Sequence, residues 1–480
     1  MRRVLAGTTA VIVLAGGAYV WADATDRVPG ILTTAAQASP RLDAPAAPGQ
    51  PALPAAIPNA APALAALDPQ APVPSTTAVA TALRPALGDA RLGSSVSIVV
   101  RDGITGETLL SQRADRPGPI ASVQKLLAAA AVGAHLDTTD TMTTKAVSGA
   151  SSGEVILVAG GDTMLARGAG RPGEVEGHAG LADLAAQTVR SLKASGAPKR
   201  ITVRLDASYA RGPRYPSTWN MADVAGGFTQ GVTMIGLAGQ RPEPGKPSPA
   251  RPEAEALTAF AAALTKAGIP ATVTAHESTW ATAAPKSATE LGSVASAPIA
   301  DVLGEALLHS DNALTENLVR QAAVAAGLSG DMKSAVTLMR RTLTDAKINT
   351  SGMVLRDASG LSSGQKVPAR IVADVLTAGT EGELPGMAAT IVQLPVGGYN
   401  GSLFDRFDES DSRAAAGVPR AKTGTLTGIS GLAGTTITRD GRLLTYVIVA
   451  DRNSDTLAAR AALDRVVAQL TTLQSSKGRP

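Results

Sequence analysis

The sequence predicts a mixed α/β fold of the α+β kind, with helices packed on a mainly antiparallel sheet. Three observations predict it. Ser95–Arg101 (SVSIVVR) reads as a strand, and the turn Asp102-Gly103 returns it to a partner at Glu107–Ser111. Gly431–Thr438 and Arg442–Ala450 flank Asp440-Gly441 as a second hairpin. Helical periodicity separates these pairs and follows the last one, where Asn453–Leu473 reads as a closing amphipathic helix capped by Asn453 or Ser454.

The remaining elements follow in order. Val79, Leu83 and Leu87 recur at i, i+4, i+8 and mark a short first helix. Ser122–Leu136 (SVQKLLAAAAVGAHL) reads as an alanine-rich helix, and Glu154–Val158 as a short strand ended by Gly160-Gly161. Leu181–Ala194 is helical and Arg200–Asp206 extended. Residues 207–252, rich in Gly, Pro and aromatics, read as irregular. Glu253–Ala267, Pro298–His309 and Ala313–Ala326 complete the helices. No internal repeat is visible.

With 480 residues the chain has room for two or three domains. Aromatics make up only 2%, so Ala, Val, Leu and Ile must build the core. The net charge of +4 comes without a basic run, which argues against a nucleic-acid partner. The absence of cysteine excludes disulfides, thiol nucleophiles and Cys-ligated metals. The four histidines, His135, His178, His276 and His309, show no metal-ligand spacing, so no metal or other cofactor is expected.

Met1-Arg2-Arg3 precedes an uncharged apolar run, Val4–Ala22, and Asp23 and Asp26 follow it. This order places the rest of the chain outside the cytoplasmic membrane. Residues 1–27 read equally as a membrane anchor or as a cleaved signal peptide. Residues 28–75, dominated by Ala and Pro, read as an extended spacer. The expected location is the cell envelope, on the periplasmic side, anchored or secreted.

Three motifs carry chemistry. In Ser122-Val-Gln-Lys125 the serine and lysine are three apart on a helix and share a face. A serine hydroxyl needs an adjacent base, and an amine serves if burial or a second cation lowers its pKa. A second S-x-x-K, Ser363 to Lys366, contains Gly364 and follows a loop, so it reads as a chance match. Ser310-Asp311-Asn312 lies between two helices, where a helix cap is the plain reading. Lys422-Thr423-Gly424-Thr425 opens a strand; Lys and Thr can hold a carboxylate, and Gly424 would let a peptide lie along the strand edge.

These motifs, in this order and these settings, form the set shared by penicillin-binding proteins and class A β-lactamases. The chain resembles the class C low-molecular-mass penicillin-binding proteins, the D-alanyl-D-alanine carboxypeptidase/endopeptidase family (S13), over roughly residues 76–475. Ala159-Gly-Gly-Asp-Thr163, Asp357-Ala-Ser-Gly-Leu-Ser362 and Leu394–Leu403 extend the resemblance. It departs at Ile120, which intervenes between Pro119 and Ala121, and at Ser363, where an arginine is usual. The resemblance implies a penicillin-binding-protein/β-lactamase-like transpeptidase domain at 76–143 and 266–475, with a smaller inserted domain at 144–265.

It also implies roles. Ser122 is the nucleophile; Lys125, neutral because it is buried beside a positive Lys422, takes its proton. Ser310 relays a proton to the leaving amine, and Asn312 binds substrate. The N–H groups of Ser122 and Thr425 form the oxyanion hole, while Lys422, Thr423 and Thr425 hold the terminal carboxylate along Gly424. The implied partners are peptidoglycan stem peptides and β-lactams, together with the membrane if the N-terminal segment stays attached. A class A β-lactamase would need a deacylating glutamate after S-D-N, and none occurs between Glu316 and Glu381. A Ser-His-Asp esterase would have to draw on a histidine such as His309, which beside a helix end reads as a surface residue. A non-catalytic wall-binding protein would not need the full motif set.

Overall fold

The computed structural model describes residues 68–474 apart from Ala197 and Ala275. The expected anchor or signal peptide, and the spacer up to residue 67, lie outside the described residues. A five-stranded sheet runs in the order Arg420–Leu426, Ile429–Ile437, Leu443–Asp451, Ser95–Asp102, Thr108–Gln112. Every pairing in it is antiparallel. Chain ends that are far apart in sequence therefore meet at its centre, with Ser95 opposite Asp451 and Asp102 opposite Leu444. Asp102 and Arg442, both buried, form a forked ion pair joining the two hairpin turns.

Period-two alternation splits this sheet between two cores. Ile98, Val100, Tyr446 and Ile448 face the closing helix Thr456–Thr471 and the first helix Thr76–Leu87. Val99, Val447 and Val449 face the opposite way, towards helices Lys125–His135 and Ala369–Thr380. In Lys125–His135, every residue from Lys125 to Gly133 is buried. Its four consecutive alanines let Asn312–Ala325 and Met332–Asp345 approach closely, which is how an aromatic-poor chain reaches interior density. The closing helix starts at Thr456 with Asp455 as cap, because the Asp455 side chain accepts the N–H groups of Leu457 and Ala458.

A second sheet runs Ala271–Val273, Ile201–Asp206, Glu154–Val158, Thr141–Ser148, Glu290–Pro298. Its first three strands are mutually parallel. Helices Leu181–Ala194 and Pro252–Lys266 connect them and cover Val155, Leu157, Val203 and Leu205. Thr141–Ser148 pairs antiparallel with both Glu154–Val158 and Glu290–Pro298. The sheet thus extends beyond the expected 144–265 insert at both ends. TMTTKAVS and ELGSVASAP are too short of large apolar residues for the strands to show in sequence.

Candidate active site

Ser122 sits in a 3₁₀ turn, Ala121–Gln124, that leads into helix Lys125–His135. Ala121 has φ +49°, a left-handed value that turns the chain sharply before the serine. The buried Gln124 side chain pins the turn by donating to the Asp357 carbonyl (2.7 Å) and to Gln365 Oε1 (2.8 Å).

Lys125 is fully buried, and its Nζ makes three contacts: Ser122 Oγ at 2.8 Å, Asn312 Oδ1 at 2.6 Å and the Ser359 carbonyl at 2.9 Å. The last two oxygens can only accept. A neutral amine has two N–H groups and one lone pair. In that form its two hydrogens would go to the two carbonyl-type oxygens, and its lone pair would face the one partner that carries a proton, the Ser122 hydroxyl. Burial shifts the balance towards the neutral form, pulling Lys125 down to about 8 against the opposing pull of Asp357, Asp311 and Glu316.

The Asn312 amide orientation follows from its other contact. Its Nδ2 donates 3.0 Å to the Phe228 carbonyl, which cannot donate, so Oδ1 must face Lys125. Asp311 caps helix Asn312–Ala325 by accepting the Leu314 N–H at 2.8 Å. The cap and site readings of this motif therefore coexist, with Ser310 held between the helices at φ +57°. The Ser359 carbonyl is fixed from beneath. Buried Asp357 accepts from Gly360 N (2.8 Å), Ser362 N (2.7 Å) and Trp219 Nε1 (2.8 Å). Buried Glu316 accepts from Ala358 N and Ser359 N (2.9 and 2.8 Å), and desolvation, reinforced by Asp357, raises it to about 8. Glu316 thus supports the loop that holds the lysine.

Lys422, Thr423 and Gly424 lie within the edge strand Arg420–Leu426. A side chain at Gly424 would meet the Ile120 carbonyl at 2.6 Å and Val123 at 3.0 Å. Its cross-strand partner Gly431 faces Val123 too. These glycines let the strand press against the nucleophile turn, which corrects the expectation that Gly424 clears room for a ligand. Thr423 Oγ1 donates to Ser402 Oγ at 2.9 Å. Lys422 Nζ is buried and donates to the Thr423 carbonyl at 2.9 Å. Burial, together with the charge on Lys125, pushes Lys422 well below the ordinary lysine range. Burial thus depresses both amines.

Ser122, Ser310, Asn312 and Thr425 line one cleft of about 550 Å³, together with Phe228 and Arg241. The fold thus joins three distant stretches of chain around one hydroxyl. Ser363-Gly-Gln-Lys366 is not helical; the Lys366 backbone pairs with Val354 and its side chain is exposed, in keeping with a chance match. Sequence reasoning missed the parts played by Gln124, Glu316, Ser359, Phe228 and Arg241. Asp357–Ser362 was noticed only as a family-like segment, and a carbonyl ligand such as that of Ser359 leaves no mark in residue type.

A serine hydrogen-bonded to a buried lysine, braced by an S-D-N loop and a K-T-G edge strand on an antiparallel sheet, defines a penicillin-recognising serine hydrolase. The family model for D-Ala-D-Ala carboxypeptidase 3 (S13) matches residues 79–238 and 230–470. A protein named carboxypeptidase DacB, from Mycolicibacterium smegmatis, is 34% identical over 409 residues, covering 84% of this chain and 86% of that one. A D-alanyl-D-alanine carboxypeptidase from an Actinomadura species is 32% identical over 158 residues, 32% of this chain and 28% of that one. The crystal structure of penicillin binding protein 4 from Haemophilus influenzae superposes with a TM-score of 0.65 at 17% identity, over 84% of this chain and all of the other. The chain belongs to the D-Ala-D-Ala carboxypeptidase 3 (S13) family, and it is a serine D,D-peptidase.

Proposed function

We propose that Ser122 Oγ attacks the carbonyl of the terminal D-Ala-D-Ala bond of a peptidoglycan stem peptide. The Ser122 proton passes to the Lys125 lone pair as the Oγ–C bond forms. Ser310 passes its proton to the departing nitrogen and takes up the one held by Lys125, the C–N bond breaks, and D-alanine leaves. Water then cleaves the acyl-Ser122 ester, its hydroxyl going to the acyl carbon and its proton, through Lys125, to Ser122 Oγ. The N–H groups of Ser122 and Thr425 receive the developing oxyanion, an effect of roughly 3–4 kcal/mol per donor. Asn312 holds the acyl chain. Lys422, with Thr423 and Thr425 beside it, receives the substrate carboxylate. That carboxylate supplies a countercharge that no acid among the described residues gives Lys422, so Lys422 can be cationic while Lys125 stays neutral.

The observation that carries this reading is the triple contact of Lys125 with Ser122, Asn312 and the Ser359 carbonyl. A β-lactam would enter the same cleft and leave Ser122 stably acylated. Incubation with purified muropeptides should shorten pentapeptide stems by one alanine, read by mass spectrometry. Splitting of cross-linked dimers would add endopeptidase action, and unchanged masses with both substrates would sink the reading. The basic, apolar and acidic order of residues 2–26 supports a place outside the cytoplasmic membrane, where the substrate lies. No helix among the described residues is long and apolar enough to cross a membrane. Protease added to intact spheroplasts should digest a retained protein; full protection would overturn the assignment.

A further inference from the structure

The irregular stretch between the strand Ile201–Asp206 and the helix Pro252–Lys266 reaches the site at three places. Trp219 Nε1 donates to Asp357 at 2.8 Å, beneath the loop that carries the Ser359 carbonyl. The Phe228 carbonyl fixes the Asn312 amide at 3.0 Å. Arg241 sends Nε and Nη2 to the same Asp311 oxygen, at 3.1 and 3.0 Å. Its Nη1 pairs with Glu176 and lies 3.7 Å from Met164 Sδ. The Arg241 side chain is 13% exposed, on the wall of the catalytic cleft.

Asp311 divides its carboxylate. One oxygen caps the helix that begins at Asn312, and the other takes Arg241. The residue before it, Ser310, stands in the left-handed region, which a non-glycine residue keeps only when its surroundings hold it there. The residue after it, Asn312, must present Oδ1 to Lys125. An arginine fork on the middle residue of this loop thus restrains both neighbours. The groups facing Arg241 are Asp311, Glu176 and, at longer range, Glu305.

We propose that Arg241 is a positioning residue for the reaction. Through Asp311 it holds Ser310 and Asn312 in place for proton transfer, and it makes the inserted layer part of the catalytic apparatus. The inference rests on the roles proposed above for Ser310 and Asn312. It acts on the chemical step and not on substrate capture, because Arg241 spends its donors on protein carboxylates.

Stopped-flow acylation by a penicillin separates the dissociation constant of the first complex from the acylation rate constant. Arg241→Gln should slow acylation about 10- to 100-fold, as expected when a supporting residue shifts a catalytic group. The dissociation constant should stay within about threefold, since uniform binding is untouched. Arg241→Lys should fall between, because one ammonium cannot reproduce the fork. The double variant with Asp311→Asn should be no slower than the slower single variant, because both break one contact. Unchanged acylation in a folded Arg241→Gln protein overturns the proposal. So does a loss confined to the dissociation constant, or a fully additive double variant. If Arg241→Gln fails to fold, Arg241→Lys carries the test, and a wild-type acylation rate there overturns the inference. A Ser122→Ala protein run in parallel separates the two levels. Labelling that survives there removes the proposed mechanism, whereas normal acylation in Arg241→Gln beside an unlabelled Ser122→Ala removes only the brace.

Discussion

Replacing Ser122 by alanine should reduce labelling by a fluorescent penicillin to background and stop release of D-alanine. The loss should be on the order of 10⁶-fold, because the other two oxygens against the amine that takes the proton belong to an amide and a carbonyl and carry no proton to give. The fold should persist. Ser122 Oγ is one of three partners of Lys125, and the turn itself is pinned by Gln124 and the Asp357 loop. The melting temperature should move by no more than about 3 °C, the shift expected from one lost hydrogen bond in a chain this large. Undiminished labelling of a folded Ser122→Ala protein would assign the acyl group to another residue.

Replacing Lys125 should also slow the reaction, less severely and by a different route. Lys125→Ala removes the base and should slow acylation about 10³-fold, on the order of 4 kcal/mol. Lys125→Arg should not rescue it, because a guanidinium stays charged and offers no lone pair. The wild-type enzyme should show the titration behind this. Burial brings Lys125 down to about 8, and only its neutral form accepts the serine proton. Acylation should therefore rise with pH through about 8 and level off above it, where the neutral amine predominates. A rate flat from pH 6 to 10, or a Lys125→Arg protein with near-native rates, would remove lysine from the base role.

The legible part of this site was the part written in residue types at short spacing. Ser122 and Lys125 are one helical turn apart, so their contact follows from local geometry. Ser310-Asp311-Asn312 lay between two helical patterns, so a cap there was legible, although which of the three residues supplies it was not. The supports were not legible. Glu316 reads as one more polar residue on a helix, yet it is fully buried under the 358–359 backbone. Arg241 lies in a stretch without periodicity, and its partner is 70 residues away. Gly424 shows why residue type misleads: its small size serves packing against Val123, which belongs to a segment 300 residues earlier.

The sequence alone determined the alternation that sorts Ile98 and Val99 to opposite faces of the sheet, the alanine content that allows close helix packing, and the identity of the reacting groups. Those properties depend on neighbours within a few positions, so a linear reading captures them. Tertiary structure alone decided the burial that depresses both lysines, the direction of the Asn312 amide and the bracing of its loop by Arg241. Each of these is set by desolvation and by oxygen atoms brought together when distant segments fold, and the chain order records neither.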